Sequence, residues 1–440
     1  MTFPITEASP VRFAGALPDA CDVVVVGGGI IGVMTAWFLA EQGQRVTLCE
    51  KGRIAGEQSS RNWGWIRQQG RDYGELPIVM EALRIWEGLA QRLPQIGFRR
   101  RGVLYPCNDE KEIAAREDWL AGARPFGVDS RMLSGAETAE LTGATVWKGA
   151  LYTPSDAMAE PWVTVPALAG LLSDRVAIRE NCAVRALDIA AGRVAGVITE
   201  QGRIRADRVV VAGGAWTSLL LRAHGVMIPQ LSVLSSVART APMDMAYEGG
   251  LSDAGFSYRR RADGGLSLAG ASHGFFIGPD AFRHFFKYLP VLKHERGSQF
   301  RPMAPRGYPD AWGTPRRWSL DTPSPFEAIR ILNPAPNLRT LDLAAAAFAR
   351  AFPQAGKPRL ETTWAGMIDT MPDVVPVVDH APIPGLTIAT GMAGHGFGIG
   401  PGMGRVTADL VMGRAPGHDL SRFRFARFSD GSPIVPGPAL

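Results

Sequence analysis

The stretch Asp22–Lys51, DVVVVGGGIIGVMTAWFLAEQGQRVTLCEK, decides the fold. Four consecutive valines, Val23–Val26, read as a buried parallel strand. Gly27, Gly29 and Gly32 follow with the spacing G-x-G-x-x-G at a strand-to-helix turn. Gly27 permits the tight turn, Gly29 lets the backbone approach a pyrophosphate, and Gly32 lets the helix lie close to the sheet. The helix is expected over Ile30–Gln42, with Ile31, Met34, Ala36, Phe38 and Leu39 as its apolar side, ending near Gly43. Its N-terminus, at Ile30 and Ile31, offers free amide donors to phosphate oxygens. A second strand, Arg45–Cys49, ends in Glu50, placed where an acidic side chain meets a ribose. Strand, turn, helix, strand and terminal acid in that order indicate dinucleotide binding. Lys51 and Arg53 after Glu50 leave a flavin and a nicotinamide dinucleotide equally open.

Outward from this unit, 440 residues with 46% hydrophobic content predict a large core and two domains. A net charge of +5 favours acidic or zwitterionic small molecules over nucleic acid, because the only arginine triplets are Arg99–Arg101 and Arg259–Arg261. The four cysteines, Cys21, Cys49, Cys107 and Cys182, form no C-x-x-C pair and no zinc-like spacing, so no metal site is expected. A reduced cytoplasmic setting fits them, and the first twenty residues read as no signal peptide.

Helices are expected over Glu75–Leu93, Asp109–Ala121, Met158–Ser173 and Leu338–Phe352, and over Ser134–Leu141, which opens with a Ser134/Glu137 capping pattern. Ala183–Ile189, Val194–Glu200 and Gly202–Ala206 read as an antiparallel insertion. Arg208–Ala212 reads as a second buried parallel strand, whose end, Ala212, Gly213 and Trp216, points backbone at a ligand before a helix over Thr217–His224. Alternation in Ser232–Arg239, Phe256–Arg260 and Leu266–Ala269 predicts an antiparallel sheet. Pro279–Leu292 carries Phe282, Phe285, Phe286 and Leu289 on one side of an amphipathic helix, for which packing on that sheet is preferred over a peripheral membrane contact. Residues 293–335, rich in Pro, Arg and Trp, show no clear pattern.

Near the end, Trp364–Asp379 (WAGMIDTMPDVVPVVD) and strand Leu386–Thr390 precede Gly391–Gly404, GMAGHGFGIGPGMG. Seven glycines in fourteen positions read as an unpacked loop before a helix over Arg405–Met412. Its amides would converge on a flat polar group and stabilise charge developing there.

These motifs together, DVVVVGGGIIG with Glu50, SSRNWGW, RVVVAGGAW, WAGMIDTMPD and GHGFGIGPGMG, resemble the FAD-dependent D-amino-acid oxidase superfamily, which includes glycine oxidase, sarcosine oxidase and bacterial D-amino-acid dehydrogenases. The resemblance implies an α/β fold. A Rossmann-type FAD-binding domain, a parallel sheet with helices and an antiparallel insertion, is built from residues 20–92, 150–227 and 361–440. An α+β substrate domain on an antiparallel sheet takes 93–149 and 228–360. It implies Ser59, Ser60 and Arg61 beside the pyrophosphate, and Asn62, Trp63, Gly64 and Trp65 along the isoalloxazine edge. Val184 would meet the adenine, and Gly394, His395, Gly396, Phe397, Gly398 and Ile399 would cradle the pyrimidine end behind Gly391.

Two departures from the family stand out. Gly366 occupies the position of a flavin-linking cysteine, and no cysteine follows Cys182, so FAD is expected to be non-covalent. Ile368, followed by Asp369, occupies the position of the usual carboxylate-clamping arginine. Arg67 and Arg71 are the first replacements, and Tyr258 with Arg259 the second. Asp369 is a partner for a substrate ammonium, and His395 a hydrogen-bonding group for flavin or substrate; His273 ranks behind it. Trp63, Trp65, Phe397 and Trp364 are expected walls that exclude water.

The implied reaction is oxidation of the C–N bond of a D-amino acid or N-substituted amino acid by hydride transfer to flavin, giving an imine that hydrolyses to a keto acid. Two alternatives stand beside it, a 2-hydroxy-acid dehydrogenase and a flavin-holding subunit without its own substrate site. Oxygen, a quinone and a partner flavoprotein are all open as electron acceptors. The expected location is cytoplasmic, with peripheral attachment at the inner face of the membrane through 279–292 as its extension.

Overall fold

The computed structural model describes residues 3–270, 272–292 and 299–437. Residue 271, the 293–298 part of the Pro-, Arg- and Trp-rich stretch and the terminal 438–440 lie outside the described residues.

Val23–Val26 lies between Val46–Cys49 and Arg208–Val211, parallel to both and in register from Val23 to Val26. Ala177–Arg179 extends this sheet on one side and Leu386–Thr390 on the other, again parallel. Val377–His380 closes the edge antiparallel, giving six strands. The ends of Val23–Val26 and Arg208–Val211 therefore emerge side by side, at the carboxyl edge where open parallel sheets bind ligands. The antiparallel insertion forms as expected, as Val184–Ala190, Arg193–Thr199 and Gly202–Arg205.

The helix Ile30–Glu41 is buried on nearly every side, from Ile30 to Trp37 and at Leu39. One flank meets the sheet, and the other meets a helix that the glycine pattern conceals. Gly396–Val411 is helical, with Gly398, Gly400, Gly402 and Gly404 inside it. Four of the seven glycines expected in a loop are thus helix-interior residues, and the physical reason is proximity. A Cβ at Gly400 would stand 2.5 Å from Ile30, and one at Gly404 2.5 Å from the Met34 Cβ. A Cβ at Gly402 would stand 2.5 Å from the Ile78 carbonyl oxygen on the helix Leu76–Arg92. Removing side chains there lets three helices touch along their backbones. Burial then outweighs the roughly 1 kcal/mol that each glycine costs a helix.

The second large sheet has ten strands, with Leu231–Thr240 paired to Leu266–Gly270 on one side and along its length to Leu360–Thr370 on the other. Its far half contains Val103–Cys107, Gly149–Thr153 and Arg131–Ser134. The segment boundaries read at 150 and 361 fall inside strands of this sheet. The helix Leu338–Ala351 covers it, packing Ala344, Ala345 and Phe348 onto Phe256, Tyr258 and Leu268. The capping box of Ser134 and Glu137 is present as expected.

Pro279–Leu292 departs from its expectation. It breaks at His284 into Pro279–Arg283 and Phe285–Leu292. The phenylalanine side faces outward, with Phe282 64% and Phe286 82% exposed, so it is not packed on the sheet. Tyr288 and Val291 face inward instead, the Tyr288 hydroxyl lying 2.8 Å from the carbonyls of Pro229 and Thr370. No helix of the described residues is long and apolar enough to cross a membrane.

Candidate functional site

One cavity collects most of the residues singled out by sequence. It is lined by Gly27, Gly29, Ile30, Ile31, Glu50 and Lys51 from the first unit, and by Val184, Ala212, Gly213 and Trp216 from the second. Ser59, Arg61, Asn62, Trp63 and Trp65 form another wall, and Gly394, His395, Gly396, Phe397 and Gly398 a further one. Arg67, Arg71, His273, Gly366, Ile368 and Asp369 also face it.

At the first turn the polar groups are answered by protein. The Glu50 carboxylate accepts from the amides of Gly28 and Gly52, each at 2.7 Å. Burial raises its pKa, against the opposing effects of Lys51 and those two amides. The Ile30 amide donates to Ser59 Oγ at 2.9 Å. A Cβ on Gly29 would meet only that hydroxyl, at 3.0 Å, so this backbone is open toward the cavity. Gly27, at φ +114, and Gly32 serve packing: a Cβ on either would strike the Ala212 or the Gly27 carbonyl oxygen. Lys51 sits over the Trp216 ring at 4.3 Å and donates to Glu57, which also receives Trp216 Nε1 at 3.0 Å.

Two helix N-termini face this cavity, Ile30–Glu41 behind Gly29 and Gly396–Val411 behind His395. Neither has an acidic residue in its first turn or a side-chain cap, so both leave positive dipole ends toward the cavity.

Around the second helix N-terminus the polar groups are not answered. Arg71 is buried, and its Nη1 has no hydrogen-bond partner. Burial, reinforced by neighbouring Arg67, lowers its pKa to about 9. Glu75, four residues on at the N-cap of the helix Leu76–Arg92, is fully buried with neither carboxylate oxygen hydrogen-bonded, and burial raises its pKa to about 7. His395 Nδ1 stands 3.4 Å from Glu75 Oε2, and neither of its ring nitrogens makes a hydrogen bond. Burial, together with Arg71 and Arg67, keeps this imidazole neutral. Arg67 donates to the Gln69 carbonyl at 2.7 Å and lies 5.3 Å from the Tyr105 ring. The loop carrying both arginines is held by Asp156, which accepts from the amides of Gln68 at 2.7 Å and Gln69 at 3.3 Å. Asp72, the obvious mate for Arg71, pairs with Arg422 at 3.0 Å instead.

Several expected site residues lie elsewhere. Tyr258 faces the core beside Phe256, Phe348 and Phe352, away from the cavity, and burial pushes its pKa up. Arg259 points to the other face of its strand and is consumed by Glu160, at 2.9 and 2.8 Å, and by the Trp63 carbonyl. This pair is therefore not a carboxylate clamp; Arg259 positions the Trp63–Gly64 backbone. Trp364 packs on Phe3 and donates to the Arg61 carbonyl at 2.9 Å, outside the cavity lining. Ser60, Gly64, Gly391 and Ile399 also stay out of the lining, supporting the residues that form it. Arg61 lines the cavity, but its guanidinium is tied to Gly56, Asn333, Ala365 and Ile5 oxygens.

Asp369 is buried, and its Oδ2 accepts from Gly391 N at 2.7 Å, Gln230 Nε2 at 2.9 Å and Thr390 Oγ1 at 3.1 Å. That oxygen holds the turn at Gly391 (φ +74) rather than waiting for an ammonium. Glu75 and Asp156 were the residues missed by sequence reading. No local pattern pointed to either, because Arg71 lies outside the helix that Glu75 caps and Asp156 is distant in sequence from the loop it holds.

The sequence model of a family described as FAD dependent oxidoreductase matches residues 22–410. An L-amino acid deaminase from Proteus myxofaciens, solved with anthranilate, is 31% identical, with a TM-score of 0.90 over 96% of each chain. A 4-methylaminobutanoate oxidase (formaldehyde-forming) of Paenarthrobacter nicotinovorans is 28% identical over 94% of this chain and 46% of its own length. Human mitochondrial sarcosine dehydrogenase is 29% identical over 49% of this chain and 25% of its own. The chain thus spans less than half the length of these two curated relatives.

The cavity fits such a cofactor on its own terms. It offers an acid held for a ribose at Glu50, an open glycine backbone and helix N-terminus for a diphosphate, and a second N-terminus flanked by Trp63, Trp65 and Phe397 for a flat ring.

Proposed function

The chain belongs to the FAD-dependent oxidoreductase family, and from that premise we propose that it oxidises the C–N bond of a carboxylate-bearing amine. The substrate class is an amino acid or N-substituted amino acid, and the product an imine that water hydrolyses to a keto acid. FAD, when bound, supplies the acceptor for the substrate hydride. Glu50, Gly29, Ile30, Ile31 and Ser59 would hold its ribose and diphosphate. Trp63, Trp65, Phe397 and the Gly396 N-terminus would hold its ring without a covalent bond, since Gly366 offers no thiol.

One observation carries this reading: a buried guanidinium whose Nη1 has no hydrogen-bond partner, that of Arg71, belongs to a residue lining the same cavity as the glycine turn. A buried cation with an unanswered donor is costly, and a substrate carboxylate compensates it through charge-assisted hydrogen bonds. Glu75, neutral below about pH 7, does not repel that carboxylate. His395, neutral, has Nδ1 toward Glu75 and leaves Nε2 for the amine side of the substrate. The aromatic walls exclude water from the reacting carbon. A 2-hydroxy acid would satisfy Arg71 equally, and its O–H would donate to the His395 acceptor where an amine N–H does, so the two classes are separated by the substrate screen.

The test is anaerobic bleaching of the purified yellow protein across D- and L-amino acids, N-methylated amino acids and secondary amines. Bleaching by one amine class and not by lactate-type acids supports the reading; bleaching by hydroxy acids alone overturns it. The outward phenylalanines of Pro279–Leu292 support a peripheral lipid contact for this enzyme. Phe286→Ser should then release the protein from sedimenting anionic vesicles.

A further inference from the structure

Arg67 and Arg71 line a second cavity as well, on the side of the helix Glu110–Ala123. Its wall includes Tyr105, Arg116, Trp119 and Arg422. Arg116 lies 4.9 Å from the Tyr105 ring and Arg67 5.3 Å from it, so one phenol ring contacts a guanidinium from each cavity wall. Arg116 forms no ion pair among the described residues, and its buried Nε has no hydrogen-bond partner. Arg422 is already neutralised by Asp72 at 3.0 Å. That leaves Arg67, Arg71 and Arg116 against the exposed Asp118, an excess of positive charge in a partly enclosed space. A single substrate carboxylate compensates Arg71 and leaves the outer cation unanswered.

We propose that the substrate carries a second acidic group, taken in this outer cavity by Arg116 and Arg67 while Arg71 holds the carboxylate next to the amine. The substrate class narrows to dicarboxylic amino acids or amino acids with an N-carboxyalkyl arm. This rests on the function proposed above for Arg71, and adds Arg116 as the residue that sets specificity. Arg116 touches only the far end of the substrate, which makes it a determinant of binding rather than of chemistry.

Binding of simple anions tests this without turnover. The FAD-loaded protein is titrated with malonate, succinate, glutarate and adipate, and with monocarboxylates of equal length, by calorimetry and by perturbation of the flavin spectrum. At least one dicarboxylate should bind about tenfold more tightly than its monocarboxylate, and Arg116→Gln should bring that ratio close to one, with Arg116→Lys in between. Equal binding of both series by the unmutated protein would overturn the proposal. So would a preference that survives Arg116→Gln, or an equal weakening of both series, which marks general electrostatic steering. Failure of the underlying reading looks different: no amine bleaches the flavin, whereas the dicarboxylate preference and its dependence on Arg116 remain.

Discussion

The two glycine-dense turns of this chain do opposite work. At Gly27–Gly32 the glycines shape a turn whose polar groups are answered, Glu50 by two amides and Ile30 by Ser59. At Gly391–Gly404 most glycines are spent on helix contact, and the buried polar groups nearby, His395, Glu75 and Arg71, stand unanswered. The first region is finished as protein and open only along Gly29. The second is unfinished until something charged arrives. Glycine density alone therefore says little about ligand contact; what matters is whether a Cβ would meet protein or open space.

The sharpest way to break this contrast is a pair of substitutions. Gly404→Leu drives a side chain into the Met34 backbone and should destabilise the fold by about 3 kcal/mol or more. Urea denaturation would show a lowered midpoint or insoluble protein. Gly29→Val meets only Ser59 Oγ, so it should leave the fold within about 1 kcal/mol and abolish flavin retention. A stable Gly404→Leu or a flavin-filled Gly29→Val would erase the distinction.

The unanswered groups give the next effects. Arg71→Gln should lower kcat/KM about a hundredfold, mostly through KM, with flavin content intact. Glu75 sharpens the account through pH. With its pKa raised to about 7, it is neutral below that value and ionised above it. Once ionised it competes with substrate for Arg71, so carboxylate binding should be flat below pH 7 and weaken above it. Glu75→Gln should remove this decline, by titration calorimetry at several pH values. The smallest effect belongs to Asp369→Asn, which weakens the hold on Gly391 N. It should cost about 1 kcal/mol of stability, with modest loss of flavin affinity and no selective loss of amine binding.

The same contrast explains what the sequence disclosed. The first unit was legible to within one residue at each element's ends, Ile30–Glu41 against Ile30–Gln42 and Val46–Cys49 against Arg45–Cys49, because Val23–Val26, the glycine spacing and Glu50 each act locally. The helix Gly396–Val411 was not, because glycine's own preference opposes a helix and the stabilising partner, Ile30–Glu41, lies far away in sequence. Tyr258 was read on a strand correctly, but alternation does not say which face is inward. The neighbouring Arg259 turns to the Trp63 side and Tyr258 to the core. The Phe282–Leu289 stripe looked like core for the same reason, since periodicity marks a face without naming what covers it. Arg67 and Arg71 were picked because they follow the Asn62–Trp65 segment that the family resemblance places at the flavin edge, but Glu75 and the unanswered Arg71 Nη1 are tertiary facts.

The most direct measurement of the central claim is flavin release from freshly purified protein. Denaturation should liberate FAD at about one equivalent per chain, with a yellow supernatant and no flavin left on the polypeptide. Gly29→Val should be colourless while keeping the unmutated far-UV spectrum. Colourless unmutated protein that also fails to bind added FAD would contradict the account.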